Sequence, residues 1–233
     1  MSIRDNLDIS AYLVIGPENT CGRSVKQVVA AALAGGFTCV QVRSKVASAR
    51  ELIACARQAA EAIAEAGRSE DVALLVDDRL DVVLAARAQG IKVDGVHVGQ
   101  KDIPVDVCRA YVGEDGVVGL SARADEMLEY VKTADVSDVD YFGVGPLHPT
   151  QTKPDCGVDS SGHLIVKTLS DIEELSRVSP VPIVVGGGVK VADVPALAKT
   201  GADGFFVVSA VCGADDPQAA ASELVRAWES AAN

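Results

Sequence analysis

The sequence contains no apolar run long enough to cross a membrane, and its first residues, MSIRDNLDIS, contain no apolar signal core. Basic residues are in the minority, with 21 Lys and Arg against 33 Asp and Glu, and the formal net charge is -12. This balance argues against a broad nucleic-acid or anionic-membrane footprint, although cations gathered in one place could still bind an anionic substrate. We therefore expect a soluble, cytoplasmic protein that binds neither nucleic acid nor membrane.

Close cysteine pairs and histidine clusters are also lacking. Six cysteines are spread along the chain at positions 21, 39, 55, 108, 156 and 212. This spacing matches neither a zinc site nor a disulfide framework, and no cysteine has a base nearby in sequence. The histidines form no catalytic or metal set, since His97 is expected as a hydrogen-bonded core residue, His148 in a long loop and His163 at a helix start.

Short apolar, β-branched runs alternate with alanine-rich segments of helical period. The predicted strands are AYLVI (11–15), TCVQVR (38–43), ALLV (73–76), GVHV (95–98), GVVGLS (116–121), DYFGV (140–144), IVV (183–185) and GFFVV (204–208). The predicted helices include Val25–Leu33, Glu51–Ala66, Leu80–Ala88, Glu126–Thr133, Leu164–Leu175 and Pro217–Trp228. Such alternation implies parallel strands joined by right-handed crossovers.

The number of these units decides between two folds. Eight strand–helix units favour a closed (β/α)8 TIM barrel, with an open doubly wound sheet as the alternative. Turns such as AQGIKV and KTGADG support the pattern, because a glycine can end a helix in the left-handed conformation. No linker interrupts the chain, so we expect residues 1–233 to form a single α/β domain. The sequence leaves the oligomeric state open and is compatible with a homo-oligomer.

The stretch CVQVRSKV (39–46) places Gln41, Arg43 and Lys45 at every second position, at and just beyond the end of the second strand. Alternate side chains of a strand share one face, so these three should point the same way. Burying an unpaired charge costs several kcal/mol, so an anion should lie opposite them. The alternative is a solvated strand end, with cations whose stems pack on apolar surface.

Aspartates follow the third and fourth strands, in VDDRLD and GQKDIP. Asp77, Asp78 and Asp102 could each cap the next helix. Because neighbouring strands lie less than about 5 Å apart, Asp78 and Asp102 could instead face one ion over the barrel mouth. Mg²⁺ is typically held by one or two carboxylates with substrate phosphate oxygens and water. These carboxylates and the nearby cations would therefore suit a diphosphate.

The loops after the last three strands offer further polar groups. The sixth strand precedes GPLHPTQTKPDCGVDSSG, in which Thr150, Thr152 and Lys153 supply hydroxyls and an ammonium group. A loop of this length is usually functional, and a plain surface loop is the alternative. The last two strands end in VVGGGVK and VVSAVCG, where the glycines 186–188 and Ser209 could offer backbone N–H groups. Loops at this place form the common phosphate site of such barrels.

Together these motifs resemble the thiamine-phosphate synthase family from YLVIGP to VVSAV. The matching segments are QVRSK (41–45), DDRLDV (77–82), GVHVGQKDIP (95–104), GVGPLHPTQTKP (143–154), the GGG segment and VVSA (207–210). The resemblance implies a (β/α)8 transferase that joins hydroxymethylpyrimidine diphosphate to hydroxyethylthiazole phosphate and requires Mg²⁺. It also implies a dissociative reaction, in which pyrophosphate leaves first and the thiazole nitrogen captures a pyrimidine-methyl cation.

The resemblance implies a role for each matching residue. Contacts to the pyrimidine diphosphate would come from Gln41, Arg43, Lys45, Asp77 and Lys153, with Ser121 beside the pyrimidine. Mg²⁺ would be bound by Asp78 and Asp102. The thiazole phosphate would be held by Thr150, Thr152, Gly188, Val208 and Ser209. Growing charge on the leaving pyrophosphate would be stabilised by Arg43, Lys45 and Lys153.

Three positions depart from the family pattern. Asp77 stands where the family usually has Asn, and it would repel a diphosphate unless it meets the metal, carries a proton or faces the pyrimidine amino group. Arg123 stands where His is frequent, and His148 where an aromatic or aliphatic residue is commoner. The alternatives are a thiazole tautomerase, which uses a His after the fifth strand, and a non-catalytic thiamine- or phosphate-binding relative. Arg123 and the intact diphosphate set favour the synthase.

Overall fold

Eight parallel strands close into a barrel in the computed structural model, which describes residues 2–122, 127–150, 157 and 162–232. The strands are β1 (Ala11–Ile15), β2 (Cys39–Val42), β3 (Ala73–Asp77), β4 (Gly95–Val98), β5 (Val117–Ser121), β6 (Tyr141–Val144), β7 (Ile183–Val185) and β8 (Gly204–Val207). Each strand pairs with the next, and β8 pairs with β1. The predicted (β/α)8 barrel is therefore confirmed over the open sheet.

Helices connect the strands around the outside. They are α1 (Val25–Ala34), α2 (Ala49–Glu65), α3 (Leu80–Arg87), α4 (Val105–Val112), α5 (Met127–Thr133), α6 (Leu169–Val178), α7 (Val194–Leu197), α8 (Ser209–Cys212) and α9 (Pro217–Ala232). As the turn motifs predicted, Gly90 and Gly201 follow helical segments with φ of 70° and 81°. In the described ranges, no helix has the length and apolar character needed to span a membrane.

One predicted helix starts later than expected. The segment Leu164–Leu175 was expected to be helical, with His163 at its start, but α6 begins at Leu169. The Thr168 hydroxyl accepts from the Asp171 N–H, and the Asp171 carboxylate accepts from the Thr168 N–H at 2.7 Å. This capping box fixes the helix start, so the predictions for 164–168 and for His163 are wrong.

Successive strand residues point to two separate apolar layers. Residues inside the barrel include Tyr12, Val14, Cys39, Leu75 and Val184. Their neighbours in sequence pack outwards against the helices, among them Leu13, Val40 and Leu74. The alternation follows the two-residue period of a strand, and it places every second strand residue on the barrel interior.

Four residues that precede even-numbered strands tie down the amino-terminal end of the barrel. The carboxylates of Asp94, Asp140 and Asp203 each accept a backbone N–H from the preceding odd-numbered strand, at 2.7 Å. Thr38 accepts the N–H of Ala11 in the same way, at 3.3 Å. This end is thereby held by a repeated structural contact, and the opposite end carries the candidate site.

Candidate active site

The side chains predicted to share one face of β2 lie towards the carboxyl end of the barrel, here called the barrel mouth. Gln41 is buried inside the barrel. The Arg43 N–H donates to the Ile15 carbonyl at 2.8 Å, which continues the strand pairing one residue past β2. Arg43 Nε lies 3.0 Å from Asp77 Oδ2, and these side chains are 11% and 6% exposed. The buried cation thus has an anionic partner, which excludes the solvated-strand-end alternative for Arg43.

A second ion pair lies beside the first. Lys45 Nζ contacts Asp78 Oδ2, and the lysine side chain is 51% exposed. Asp78 has a φ of 59°, and its N–H donates to the His97 carbonyl at 2.7 Å. A non-glycine residue in this left-handed region costs about 1–2 kcal/mol and points to a functional constraint. The backbone strain therefore coincides with one of the two predicted metal ligands.

The aspartates do not take the helix-capping positions that were weighed for them. Arg79 stands at the N-cap of α3, and Pro104 at the N-cap of α4. The Asp102 carboxylate instead accepts the Gly99 N–H at 2.9 Å. The capping interpretations of Asp77, Asp78 and Asp102 are therefore wrong, because the three residues lie before the caps.

Asp78 and Asp102 lie within hydrogen-bonding reach of each other. Burial, followed by the hydrogen bond to Asp78, raises the pKa of Asp102 above its usual value. Two adjoining carboxylates repel each other unless they share a proton or face a cation, and the Lys45 ammonium already contacts Asp78. Within the described part of the chain, no group of three or more His, Cys, Asp or Glu could hold a metal. Two carboxylates beside open solvent fit Mg²⁺, which takes its other ligands from water and phosphate.

Five polar side chains form one hydrogen-bonded row across the barrel interior, here called the barrel network. Its members, in order, are Gln41, Tyr12, Tyr141, His97 and Ser121. The Gln41 Nε2 to Tyr12 OH and the Tyr12 OH to Tyr141 OH distances are both 2.8 Å. His97 joins Tyr141 OH through Nδ1 and Ser121 Oγ through Nε2, each at 2.9 Å. His97 is thus the hydrogen-bonded core residue that was predicted.

Two inward glycines make room for the barrel network. A Cβ on Gly119 would collide with the Tyr141 ring and would lie 2.5 Å from His97 Nδ1. A Cβ on Gly143 would lie 2.9 Å from His97 Cε1. Because β5 and β6 each carry a glycine here, the rings of Tyr141 and His97 occupy the space that a side chain at position 119 or 143 would fill.

The loops after β6 and β7 meet at the mouth. The His148 N–H donates to the Gly187 carbonyl at 2.9 Å, and its Nε2 lies 3.0 Å from Asp193 Oδ2. Gly187 and Gly188 have φ of 82° and 75°, a conformation that glycine adopts freely. His148 therefore binds the loop after β7, a contact that the sequence did not predict.

The remaining predicted residues divide into two groups. Ser121 ends β5, Val208 follows β8, and Ser209 begins α8. Thr150 lies in the described part of the loop after β6. Outside the described residues lie Thr152, Lys153 and Arg123.

Sequence reasoning missed the barrel network as a unit. Tyr12 and Tyr141 belong to β1 and β6, and they meet only because the barrel closes. The available signal was their inward register, shared with His97 on β4. It shows which face each side chain occupies, but not which side chains meet across the barrel.

Comparison with known proteins identifies the family. The family model for thiamine monophosphate synthase matches residues 11–211. A thiamine-phosphate synthase of Corynebacterium efficiens is 39% identical over 224 residues, 96% of each chain. One of Chloroflexus aurantiacus is 39% identical over 225 residues, 96% of this chain and 94% of its own. A solved thiamine phosphate pyrophosphorylase from Pyrococcus furiosus has a TM-score of 0.76 at 28% identity, covering 99% of this chain and 100% of that one. The chain belongs to the thiamine monophosphate synthase family.

Proposed function

We propose that the protein is a transferase that joins hydroxymethylpyrimidine diphosphate to hydroxyethylthiazole phosphate, giving thiamine monophosphate and pyrophosphate. One observation carries the proposal beyond family membership. The Arg43–Asp77 and Lys45–Asp78 pairs lie at the ends of β2 and β3, and Asp78 adjoins Asp102, which follows β4. Two cations and two adjoining carboxylates are what a metal-bound diphosphate requires.

These charged residues are proposed to bind the diphosphate in two ways. Asp78 and Asp102 would hold Mg²⁺, which would supply positive charge to the leaving diphosphate. Arg43 and Lys45 would bind phosphate oxygens, together with Lys153. Both cations contact carboxylates, so a diphosphate would compete with Asp77 and Asp78 for them.

The reaction is proposed to be a dissociative substitution. The bond between the pyrimidine methylene carbon and the diphosphate oxygen breaks, and its electron pair leaves with pyrophosphate. The thiazole nitrogen then donates its lone pair to the methylene carbon and becomes a thiazolium nitrogen. No proton has to move, so the reaction needs no general base. The protein's contribution is to stabilise the leaving charge and to hold the two rings in line.

The thiazole phosphate is proposed to bind at the loops after β6, β7 and β8. Thr150, Thr152, Gly188, Val208 and Ser209 are the residues proposed for this role. The loops after β6 and β7 are joined by the His148 to Gly187 hydrogen bond, and β7 pairs directly with β8. The adjacency supports one anion site built from all three loops, a common arrangement in this fold.

A pyrophosphate-release assay with each component omitted in turn tests the proposal. We expect release only when both substrates and Mg²⁺ are present. Thiazole isomerisation without pyrimidine diphosphate would indicate the tautomerase instead. Ligand binding without any turnover would indicate a non-catalytic relative. Either outcome would overturn the synthase proposal.

A further inference from the structure

The barrel network joins two residues that the family resemblance assigns to the pyrimidine diphosphate, Gln41 at one end and Ser121 at the other. Its three inner members, Tyr12, Tyr141 and His97, are buried and belong to none of the proposed binding sets. Inner positions of such barrels are usually filled by branched apolar residues. A buried polar network is costly unless every member is hydrogen-bonded, and it then fixes one arrangement. The network therefore fixes the positions of the two side chains at its ends, Gln41 and Ser121.

The hydrogen bonds of the network have a direction. Gln41 Nε2 can only donate, so the Tyr12 hydroxyl accepts from it. Tyr12 then donates to Tyr141, and Tyr141 donates to His97 Nδ1. A neutral imidazole that accepts at Nδ1 carries its hydrogen on Nε2, which donates to Ser121 Oγ.

Burial preserves this direction. It raises the pKa of both phenols well above the usual value, so Tyr12 and Tyr141 keep their hydrogens. The Cys39 thiol also contacts the Tyr12 hydroxyl, and burial raises the pKa of that thiol well above the usual value. A neutral thiol is a weak hydrogen-bond partner, so the Tyr141 oxygen is the stronger acceptor.

We infer that the barrel network selects the substrate ring, with His97 and Tyr141 as positioning residues. It leaves Gln41 Oε1 as an acceptor and the Ser121 hydroxyl as a donor. This pair matches a heteroaromatic ring that carries an exocyclic amino group beside an unprotonated ring nitrogen. The corresponding oxo ring presents a carbonyl oxygen and a ring N–H, which is the opposite pattern. The inference rests on the proposed function, because it concerns the pyrimidine of that reaction.

The test is a binding measurement that needs no turnover. Titration calorimetry with Mg²⁺ and without the thiazole compares the aminopyrimidine diphosphate with its 4-oxo analogue. A site built for one hydrogen-bond pattern rejects the wrong one strongly, so we expect the amino form to bind at least roughly a thousandfold more tightly. Equal affinities, or binding of neither form, would overturn the inference. A failed turnover assay with the amino preference intact would overturn only the proposed function.

Matched tyrosine variants separate selection from packing. Tyr141→Phe removes only the hydroxyl that donates to His97, and we expect the amino-to-oxo affinity ratio to fall at least about tenfold, the effect of one mispaired hydrogen bond. Tyr111→Phe removes the hydroxyl of an exposed tyrosine on the outer helix α4 and should leave the ratio unchanged. Equal losses for both ligands in Tyr141→Phe would indicate a purely structural role and contradict the inference.

The tautomer of His97 provides a test on the unaltered protein. ¹⁵N NMR of the imidazole should show the hydrogen on Nε2. The opposite network direction would need the Gln41 carbonyl facing Tyr12 and the hydrogen on Nδ1. Finding the Nδ1–H tautomer would therefore overturn the inference, whatever the variants show.

Discussion

Arg43 Nε lies 3.0 Å from Asp77 Oδ2, and both side chains are largely buried at the ends of neighbouring strands. This ion pair explains how a carboxylate is accommodated at position 77. The cation that the family resemblance assigns to the diphosphate balances its charge. Asp77 and a diphosphate would therefore compete for the Arg43 guanidinium.

Asp77→Asn should tighten diphosphate binding and destabilise the fold. The amide keeps the volume of the side chain but frees Arg43 for phosphate. We expect KM for the pyrimidine diphosphate to fall about tenfold, equivalent to ~1.4 kcal/mol. The free energy of unfolding should fall by about 1–3 kcal/mol, since a charged hydrogen bond is lost. Kinetics and chemical denaturation measure the two effects. An altered Mg²⁺ dependence would contradict this, because it would make Asp77 a metal ligand.

Arg43→Ala should abolish most turnover for an electrostatic reason. Removing a cation from the leaving group costs about a hundredfold or more in kcat. It also leaves Asp77 unbalanced, so stability should fall too. Adding Asp77→Asn should restore the free energy of unfolding and leave turnover low, which separates the two roles. Lys26→Ala is the control, since Lys26 pairs with Glu65 on the outer helices. Wild-type rates in Arg43→Ala would refute the site assignment.

Lys153→Ala tests a cation that lies outside the described residues and is assigned by the family resemblance. We expect turnover to fall by roughly a hundredfold, as for other groups that stabilise leaving charge. Circular dichroism should show a folded protein. Activity equal to wild type would remove Lys153 from the proposed site.

Asp140→Ala should destabilise the barrel without touching the mouth. Its carboxylate accepts from Arg4 Nε, Arg109 Nη2 and the Val118 N–H, each at 2.7 Å. Removing one partner of a buried ion pair costs about 3–5 kcal/mol. Glu114→Ala is the matched control, since Glu114 is 93% exposed and 3.8 Å from Arg4, and should cost under about 1 kcal/mol. Equal denaturation midpoints for the two variants would refute this interpretation.

The fold could be predicted because each strand and helix has a local signal. The two-residue period of CVQVRSKV correctly placed Gln41 and Arg43 on one face. The same kind of signal was available for α6, where Thr168 and Asp171 form a capping box that sets the true helix start. The predicted start was wrong because apolar residues continue upstream of the cap, from Leu164 to Val166.

Contacts between side chains of different strands could not be predicted from the sequence. The Arg43–Asp77 pair depends on the β2–β3 register, in which Gln41 lies beside Leu75. The hydroxyls of Tyr12 and Tyr141 meet although their residues lie 129 positions apart. The first contact follows from strand register and the second from barrel closure, and the chain carries no local pattern for either.

The most direct test is to identify both products of one reaction. The protein, given both substrates and Mg²⁺, should form thiamine monophosphate and pyrophosphate in equal amounts, with neither product when the thiazole phosphate or Mg²⁺ is omitted. An isomerised thiazole as the sole product, or bound ligand with no product, would contradict the proposed function.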